Sequence, residues 1–145
     1  MSTATFDPVY TATVTVTGGR EGRAVSEDGQ LDVPLARPGA TRNRPGTNPE
    51  QLFAAGYAAC FQSALMGEAR RVGVDASGST VDAAVSLGRE SSGAFGLAVT
   101  LTVRIPGLDR ERVQALADAA HQVCPYSRAT RGNIDVRVVA ADASE

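Results

Sequence analysis

The chain has 145 residues, 43% of them hydrophobic, which predicts one globular domain spanning residues 1–145. A net charge of −2 gives no reason to expect nucleic acid or an anionic membrane as a partner. All basic residues are arginine, and there is one histidine, so the sequence excludes a catalytic lysine and a multi-histidine metal site; no metal is expected.

The first third of the chain predicts short strands. Apolar residues alternate with threonine over residues 10–17, which is typical of a half-buried strand, and Gly18 and Gly19 end it. Residues 23–35 predict two strands joined by a turn at Asp28 and Gly29. A loop rich in proline, glycine and arginine follows over residues 36–46.

Two helices and three more strands are predicted in the remainder. Asn48 suits an N-cap and Pro49 a first helical position, and the helix runs to residue 71, before Gly73. This helix is apolar on most sides, so we expect it to be buried on most sides, in part against a partner chain. Asp109 starts a second helix, which Pro125 ends. Strands are predicted over residues 81–87, 95–105 and 133–141, so the fold class is α+β with a mainly antiparallel sheet.

The sequence contains no membrane or export signal that we can identify. No apolar run approaches the roughly 20 residues of a spanning helix. The N-terminus lacks the basic start and apolar stretch of a signal peptide. We therefore expect a cytoplasmic protein without a membrane partner.

Cys60 and Cys124 each lie on the inward side of a predicted helix. Free cysteines are often buried as small inert side chains, so one interpretation is two unreactive core thiols. The other is a redox pair, because cytosolic cysteines that meet are more often redox-active than structural.

A reactive cysteine must ionise, and a chain with one histidine would use arginine to stabilise the thiolate. Arg20 and Arg23 follow a Gly-Gly pair that allows a tight turn, although both could simply be solvated. Glu50 could hold such an arginine, and at the start of a helix it also interacts favourably with the helix dipole.

Three segments carry a family resemblance, and they read GGREGRA (residues 18–24), GTNPEQLFAAGYAACF (46–61) and HQVCPYSRATRGNIDV (121–136). Together they closely resemble the organic hydroperoxide resistance proteins, the Ohr branch of the Ohr/OsmC family. The likeness spans about residues 10–138. It implies a thiol peroxidase for organic and lipid-derived hydroperoxides. It also implies an intertwined homodimer in which a mainly antiparallel sheet wraps two central helices.

The resemblance assigns four catalytic positions. Cys60 matches the peroxidatic cysteine and Cys124 the resolving cysteine. Arg20 matches the arginine that activates the thiolate, and Glu50 matches its carboxylate partner. The resemblance implies no bound cofactor, and it implies an external dithiol reductant, a lipoylated protein rather than thioredoxin.

The apolar residues near Cys60 are candidates for binding the organic part of a substrate, although they could equally be ordinary core: Phe53, Tyr57 and Phe61. The chain departs from the family in two places. The loop over residues 36–44 is less glycine-rich than is common, which would affect access to the site. Arg128 stands where asparagine is common.

Glu50 and Cys60 are ten residues apart, which is about 15 Å along a straight helix. One arginine scarcely spans that distance. We therefore expect the Arg20–Glu50 pair that meets Cys60 to be drawn partly from the other subunit.

Two alternatives stay open. One is an OsmC-type peroxidase with a different peroxide preference. The other is a non-catalytic dimer that binds hydrophobic molecules and keeps inert thiols. A thiol–disulfide isomerase is disfavoured because the sequence has no Cys-x-x-Cys motif.

Overall fold

The computed structural model describes residues 5–39 and 45–141, and it contains both strands and helices. The strands are β1 (Val14–Thr17), β2 (Arg23–Ser26), β3 (Asp32–Pro34), β4 (Thr80–Arg89), β5 (Phe95–Arg104) and β6 (Asp135–Ala140). The helices are α1 (Pro49–Arg71), α2 (Arg110–Val123) and α3 (Pro125–Thr130). The predicted α+β class is confirmed.

By their internal contacts, the residues divide into an N-terminal unit that ends at Pro49 and a C-terminal unit that begins at Glu50. The single domain over residues 1–145 stays a prediction. The part of the loop at residues 40–44 lies outside the described residues.

The N-terminal unit is built on an antiparallel sheet in the order β1-β2-β3. The predicted turn between β2 and β3 is confirmed, and Gly29 adopts the left-handed φ of 76° that such a turn favours. Strand β1 is shorter than the predicted strand over residues 10–17. Its four residues are exposed rather than half-buried, so the alternation of Val and Thr does not produce a buried face within one chain.

The turn after β1 depends on glycine. Gly18 and Gly19 have φ values of 77° and 57°, and they lead into a single 3-10 turn, Gly19–Glu21, that carries Arg20. At Gly22, a Cβ would clash with the carbonyl oxygen of Thr17, so a larger residue would not fit there.

The C-terminal unit contains the sheet β4-β5-β6. Strands β4 and β5 form a long antiparallel hairpin. Strand β6 pairs with β5 in parallel, from Ala98 opposite Asp135 to Val103 opposite Ala140. Parallel neighbours need a crossover connection, and here α2 and α3 provide it. The other three strand pairings of the described residues are antiparallel, as predicted.

Helix α1 begins at Pro49 and ends at Arg71, the bounds predicted from sequence, with Gly73 at a φ of 76° just beyond. One row of the helix is buried, at four-residue spacing: Tyr57, Phe61, Leu65 and Ala69. This row belongs to an apolar core shared with β5 and with α2. Other apolar positions such as Phe53 and Met66 are only partly buried in the single chain, so their burial by a partner chain stays a prediction.

Helix α2 has the predicted start and end. The Asp109 side chain accepts a hydrogen bond from the Arg112 N–H, 2.9 Å away, which satisfies a free donor of the first turn. Pro125 ends α2, as predicted, but it also opens α3, a six-residue helix that the sequence analysis did not predict. Cys124 lies between the two helices and has an extended ψ of 125°.

Candidate active site

The structure brings together the two cysteines that the sequence analysis singled out. Cys60 lies on α1 and Cys124 at the α2–α3 junction, and their Sγ atoms are 3.7 Å apart. Both are free thiols. Cys124 is fully buried, whereas Cys60 is partly exposed. Cys60 is therefore the more accessible of the two thiols, and the buried Cys124 thiol is in contact with it.

The surroundings of Cys60 in the C-terminal unit act on its pKa in opposite directions. Burial raises the pKa of the Cys60 thiol most strongly, because it disfavours the charged form. The backbone N–H of Tyr126 lowers it by donating toward the sulfur, and Cys124 raises it further. The net effect is an increase in the pKa, so these surroundings by themselves favour the neutral thiol over the thiolate.

A buried group of polar side chains lies next to the cysteines. Tyr57 Oη is 2.7 Å from Ser127 Oγ and 3.2 Å from Thr130 Oγ1. Ser127 Oγ is also 2.7 Å from His121 Nδ1. These contacts join α1, α2 and α3, the three helices that meet at the cysteines. These contacts are not evident from the sequence, although the spacing of Ser127 and Thr130 by three residues places both on one side of α3.

An apolar pocket of about 460 Å³ lies against α3, next to the α2–α3 junction, and is lined by Phe53, Leu97, Pro125, Tyr126, Ala129, Thr130, Asn133 and Ile134. The rings of Phe53, Tyr57 and Tyr126 pack together, with centroids 5.6 to 6.4 Å apart. Of the three predicted substrate-binding residues, Phe53 lines the pocket. Tyr57 and Phe61 are fully buried in the core, and their role with substrate stays a prediction.

The two predicted charged residues are placed by local structure. Arg20 is partly buried on the 3-10 turn of the N-terminal unit, and Glu50 is partly buried in the first turn of α1. Arg23 donates from Nε to Asp32 at 2.6 Å, so its charge is already paired. The catalytic roles of Arg20 and Glu50 stay predictions.

The described residues contain neither a candidate metal site nor a helix suited to span a membrane. Within residues 5–39 and 45–141, no three histidine, cysteine or acidic residues form a group that could hold a metal ion. In that same part of the chain, no helix has both the length and the apolar character needed to cross a bilayer.

Comparison with known proteins identifies the fold and its relatives. The family described as OsmC-like protein matches residues 38–139. The organic hydroperoxide resistance protein of Xanthomonas axonopodis pv. citri (strain 306) is 51% identical over 138 residues, covering 92% of this chain and 95% of that protein. The organic hydroperoxide resistance protein OhrB of Bacillus subtilis (strain 168) is 50% identical over 132 residues, covering 90% and 96%.

Solved structures agree. The crystal structure of OhrB of Bacillus subtilis superposes with a TM-score of 0.86 at 48% identity, covering 92% of this chain and all of that one. A structure of an organic hydroperoxide resistance protein from Elizabethkingia anophelis gives 0.84 at 43% identity, covering 94% and 99%. The chain therefore belongs to the OsmC-like family and, within it, to the organic hydroperoxide resistance branch.

Proposed function

We propose that this protein is a cysteine-based peroxidase that reduces organic hydroperoxides to alcohols. The observation that carries the proposal is the pair of free thiols 3.7 Å apart, one partly exposed and one buried. The chain that holds this pair is about half identical to relatives named for organic hydroperoxide resistance.

In the first step, the Cys60 thiolate attacks the distal oxygen of R–O–O–H. The O–O bond breaks, the alkoxide takes a proton and leaves as the alcohol, and Cys60 becomes a sulfenic acid. In the second step, the Cys124 thiol attacks the Cys60 sulfur, which forms the disulfide and releases water. A resolving thiol within reach protects Cys60 from further, irreversible oxidation.

The first step needs a thiolate, although burial raises the pKa of Cys60. We propose that Arg20 supplies the stabilising charge and that Glu50 holds the guanidinium in place, as the family resemblance implies. A guanidinium can bind a carboxylate with one edge and still donate to a second anion.

The apolar pocket favours an organic substrate over hydrogen peroxide. Its lining residues, which include Phe53, Tyr126 and Ile134, offer contacts to an alkyl or aryl group that hydrogen peroxide lacks. The same pocket would suit the second candidate function, a non-catalytic binder of hydrophobic molecules. The pair of thiols distinguishes the two candidate functions, because a protein that only binds hydrophobic molecules does not need two adjacent thiols.

The disulfide must be reduced before the next cycle. Reduction needs two electrons and two protons, and we propose that an external dithiol of the lipoyl type provides them, without a bound cofactor. The cytoplasmic location expected from the sequence stays a prediction.

We also propose a homodimer. Large apolar side chains of the N-terminal unit are strongly exposed in the single chain, among them Val9 at 98%, Phe6 at 89% and Tyr10 at 80%. Mixing Arg20→Ala chains with Cys60→Ser chains tests both the dimer and the origin of Arg20. A mixed dimer faster than Arg20→Ala alone supports an arginine supplied by the other subunit, and a mixed dimer no faster than Arg20→Ala shows that it is supplied within the chain.

The proposed function is tested by exposing the reduced protein to one equivalent of an organic hydroperoxide, and separately to hydrogen peroxide. We expect rapid loss of two hydrogen atoms by intact mass, with loss of both free thiols, and a slower reaction with hydrogen peroxide. Cys60→Ser is the control and should not react. If both thiols persisted, the peroxidase function would be contradicted, and the non-catalytic binding of hydrophobic molecules would remain as the candidate function.

A further inference from the structure

Three buried side chains beside the cysteines and the partly buried His121 form a continuous series of contacts. His121 Nδ1, Ser127 Oγ, Tyr57 Oη and Thr130 Oγ1 follow one another at 2.7, 2.7 and 3.2 Å. Thr130 Oγ1 then lies 3.1 Å from the carbonyl oxygen of Ser127 and donates to it. Tyr57 and Ser127 are fully buried and Thr130 nearly so, so water does not complete these bonds.

The number of available hydrogens fixes the direction of the series. Each hydroxyl has one hydrogen to donate. Thr130 uses its hydrogen on a carbonyl, so the Tyr57–Thr130 contact is a hydrogen bond only if Tyr57 donates. Ser127 must then donate to Tyr57, and the Nδ1–H of His121 must donate to Ser127. If Tyr57 instead donated to Ser127, the oxygens of Tyr57 and Thr130 would be 3.2 Å apart with no hydrogen between them.

This directed series fastens α3 to the other two helices. Tyr57 precedes Cys60 by one helical turn on α1, and Ser127 follows Cys124 by three residues on α3. Cys124 is the junction itself, because its N–H donates to Ala120 on α2 and its carbonyl accepts from Arg128 on α3. The position of α3 therefore determines where Cys124 lies and whether the Tyr126 N–H points toward the Cys60 sulfur.

We propose that His121 and Ser127 are positioning residues for disulfide formation, and that His121 carries a hydrogen on Nδ1 for this purpose. The proposed role in disulfide formation rests on the proposed peroxidase function, whereas the proposed hydrogen on His121 Nδ1 does not. To close the bond, the two sulfurs must approach by roughly 1.7 Å from their present 3.7 Å. A loosened α3 makes that approach rarer, while peroxide still reaches Cys60.

The tautomer can be measured directly because His121 is the only histidine in the chain. The ring ¹⁵N chemical shifts of the neutral side chain show which nitrogen bears the hydrogen. We expect Nδ1–H in the reduced protein and a shift toward Nε2–H in Ser127→Ala, which removes the acceptor. Ser63→Ala, the same change at an exposed position of α1, should leave the shifts unchanged. Nε2–H in the unmodified protein would overturn the directed series.

Positioning is measured by single-turnover kinetics. Sulfenic acid formation is followed in a Cys124→Ser background, and disulfide formation is followed in the protein with both cysteines. Ser127→Ala removes a buried hydrogen bond, so we expect its disulfide formation to slow by roughly fivefold to a hundredfold. Sulfenic acid formation should change much less.

His121 provides a second pair of variants in case Ser127→Ala folds poorly. An asparagine amide can donate to Ser127 Oγ from nearly the same place as Nδ1–H, whereas leucine cannot. His121→Asn should therefore retain fast disulfide formation, and His121→Leu should slow it. Equal rates in the two variants, or equal slowing of both steps, would overturn the positioning role. An absence of any peroxide reaction in the unmodified protein would instead contradict the proposed peroxidase and leave the tautomer result intact.

Discussion

At the scale of single residues, Cys60 combines accessibility with an unfavourable setting for charge. Burial raises its pKa, and the single backbone donor from Tyr126 does not offset that effect. One pKa unit changes the thiolate fraction about tenfold for a thiol that titrates above the working pH. A nearby cation would lower the pKa again, and Arg20 is the residue proposed for that role.

Arg20→Ala should slow reduction of an organic hydroperoxide by about tenfold or more, because the pKa of Cys60 rises and the charge that stabilises the transition state is lost. The pH dependence of the rate constant for one turnover measures both effects. Arg23→Ala is a matched control, because Arg23 already pairs with Asp32. Unchanged kinetics in Arg20→Ala would refute the role of Arg20.

His121 links pH to stability. Burial and the nearby Arg131 charge lower its pKa in the folded chain, and Asp118 only partly opposes them. The unfolded chain therefore binds the proton first as the pH falls below about 6.5, and the folded state loses stability there. Denaturant unfolding between about pH 8 and pH 5 should show a steeper loss for the unmodified protein than for His121→Asn, which cannot titrate. Parallel curves would contradict this prediction.

The residues of the site could be predicted only in part. Cys60 and Cys124 stand out because there are only two cysteines, on the inward sides of two helices. The hydroxyls of Tyr57, Ser127 and Thr130 do not stand out, since serine, threonine and tyrosine are common and their partners lie up to 73 positions apart. The packing of the three helices brings these hydroxyls together, and the spacing of the residues in the sequence does not reveal it.

At the scale of elements, α1 carries a glycine where another element approaches closely. A Cβ on Gly56 would lie 2.9 Å from Tyr126 Oη and 3.4 Å from two of its ring carbons. The absence of a side chain therefore lets the Tyr126 ring lie against the helix. Tyr126 is also the residue whose N–H faces Cys60, so we expect a change at Gly56 that displaces the ring to alter this hydrogen bond.

Gly56→Ala should change the unfolding free energy by less than about 1 kcal/mol, because better helix propensity offsets the displaced ring. It should nevertheless slow the peroxide reaction, because Tyr126 moves. Gly67→Ala is the matched control on α1: its nearest neighbour would be Arg70 Nη2 at 3.9 Å, so it should stabilise by about 0.5 to 1 kcal/mol without a kinetic effect. Denaturant unfolding and single-turnover rates test both variants, and equal kinetics would contradict the role of Gly56.

Elements with strong local signals were predicted closely. Helix α1 has its N-terminal proline and its glycine just past the end, and α2 has its aspartate cap. Helix α3 was missed because six residues are too few for helical periodicity, and so short a helix is stabilised by packing rather than by propensity. The parallel orientation of β6 was also missed, since an alternating pattern does not reveal strand direction.

At the scale of the whole molecule, the disulfide would change stability. Cys60 and Cys124 are 64 positions apart, so a bond between them closes a long loop. In the chain-entropy account, that closure stabilises the folded state by about 4 kcal/mol. The oxidised protein should unfold at higher denaturant concentration than the reduced protein, and Cys124→Ser should behave alike under both conditions. No difference between the oxidised and reduced proteins would show that strain in the folded state cancels the entropy gain.

The parallel pairing of β5 and β6 has a consequence for biosynthesis. Cys60 leaves the ribosome well before Cys124, and at about 5 to 20 residues per second the interval lasts several seconds. During that interval Cys60 has neither the Tyr126 donor nor a resolving thiol, because both arrive with the crossover. The crossover lies between β5 and β6, so its two flanking strands are both present only once β6 has been synthesised. The nascent chain thus carries Cys60 first without its donor or its protective partner, and the two then emerge together because Cys124 and Tyr126 are two positions apart.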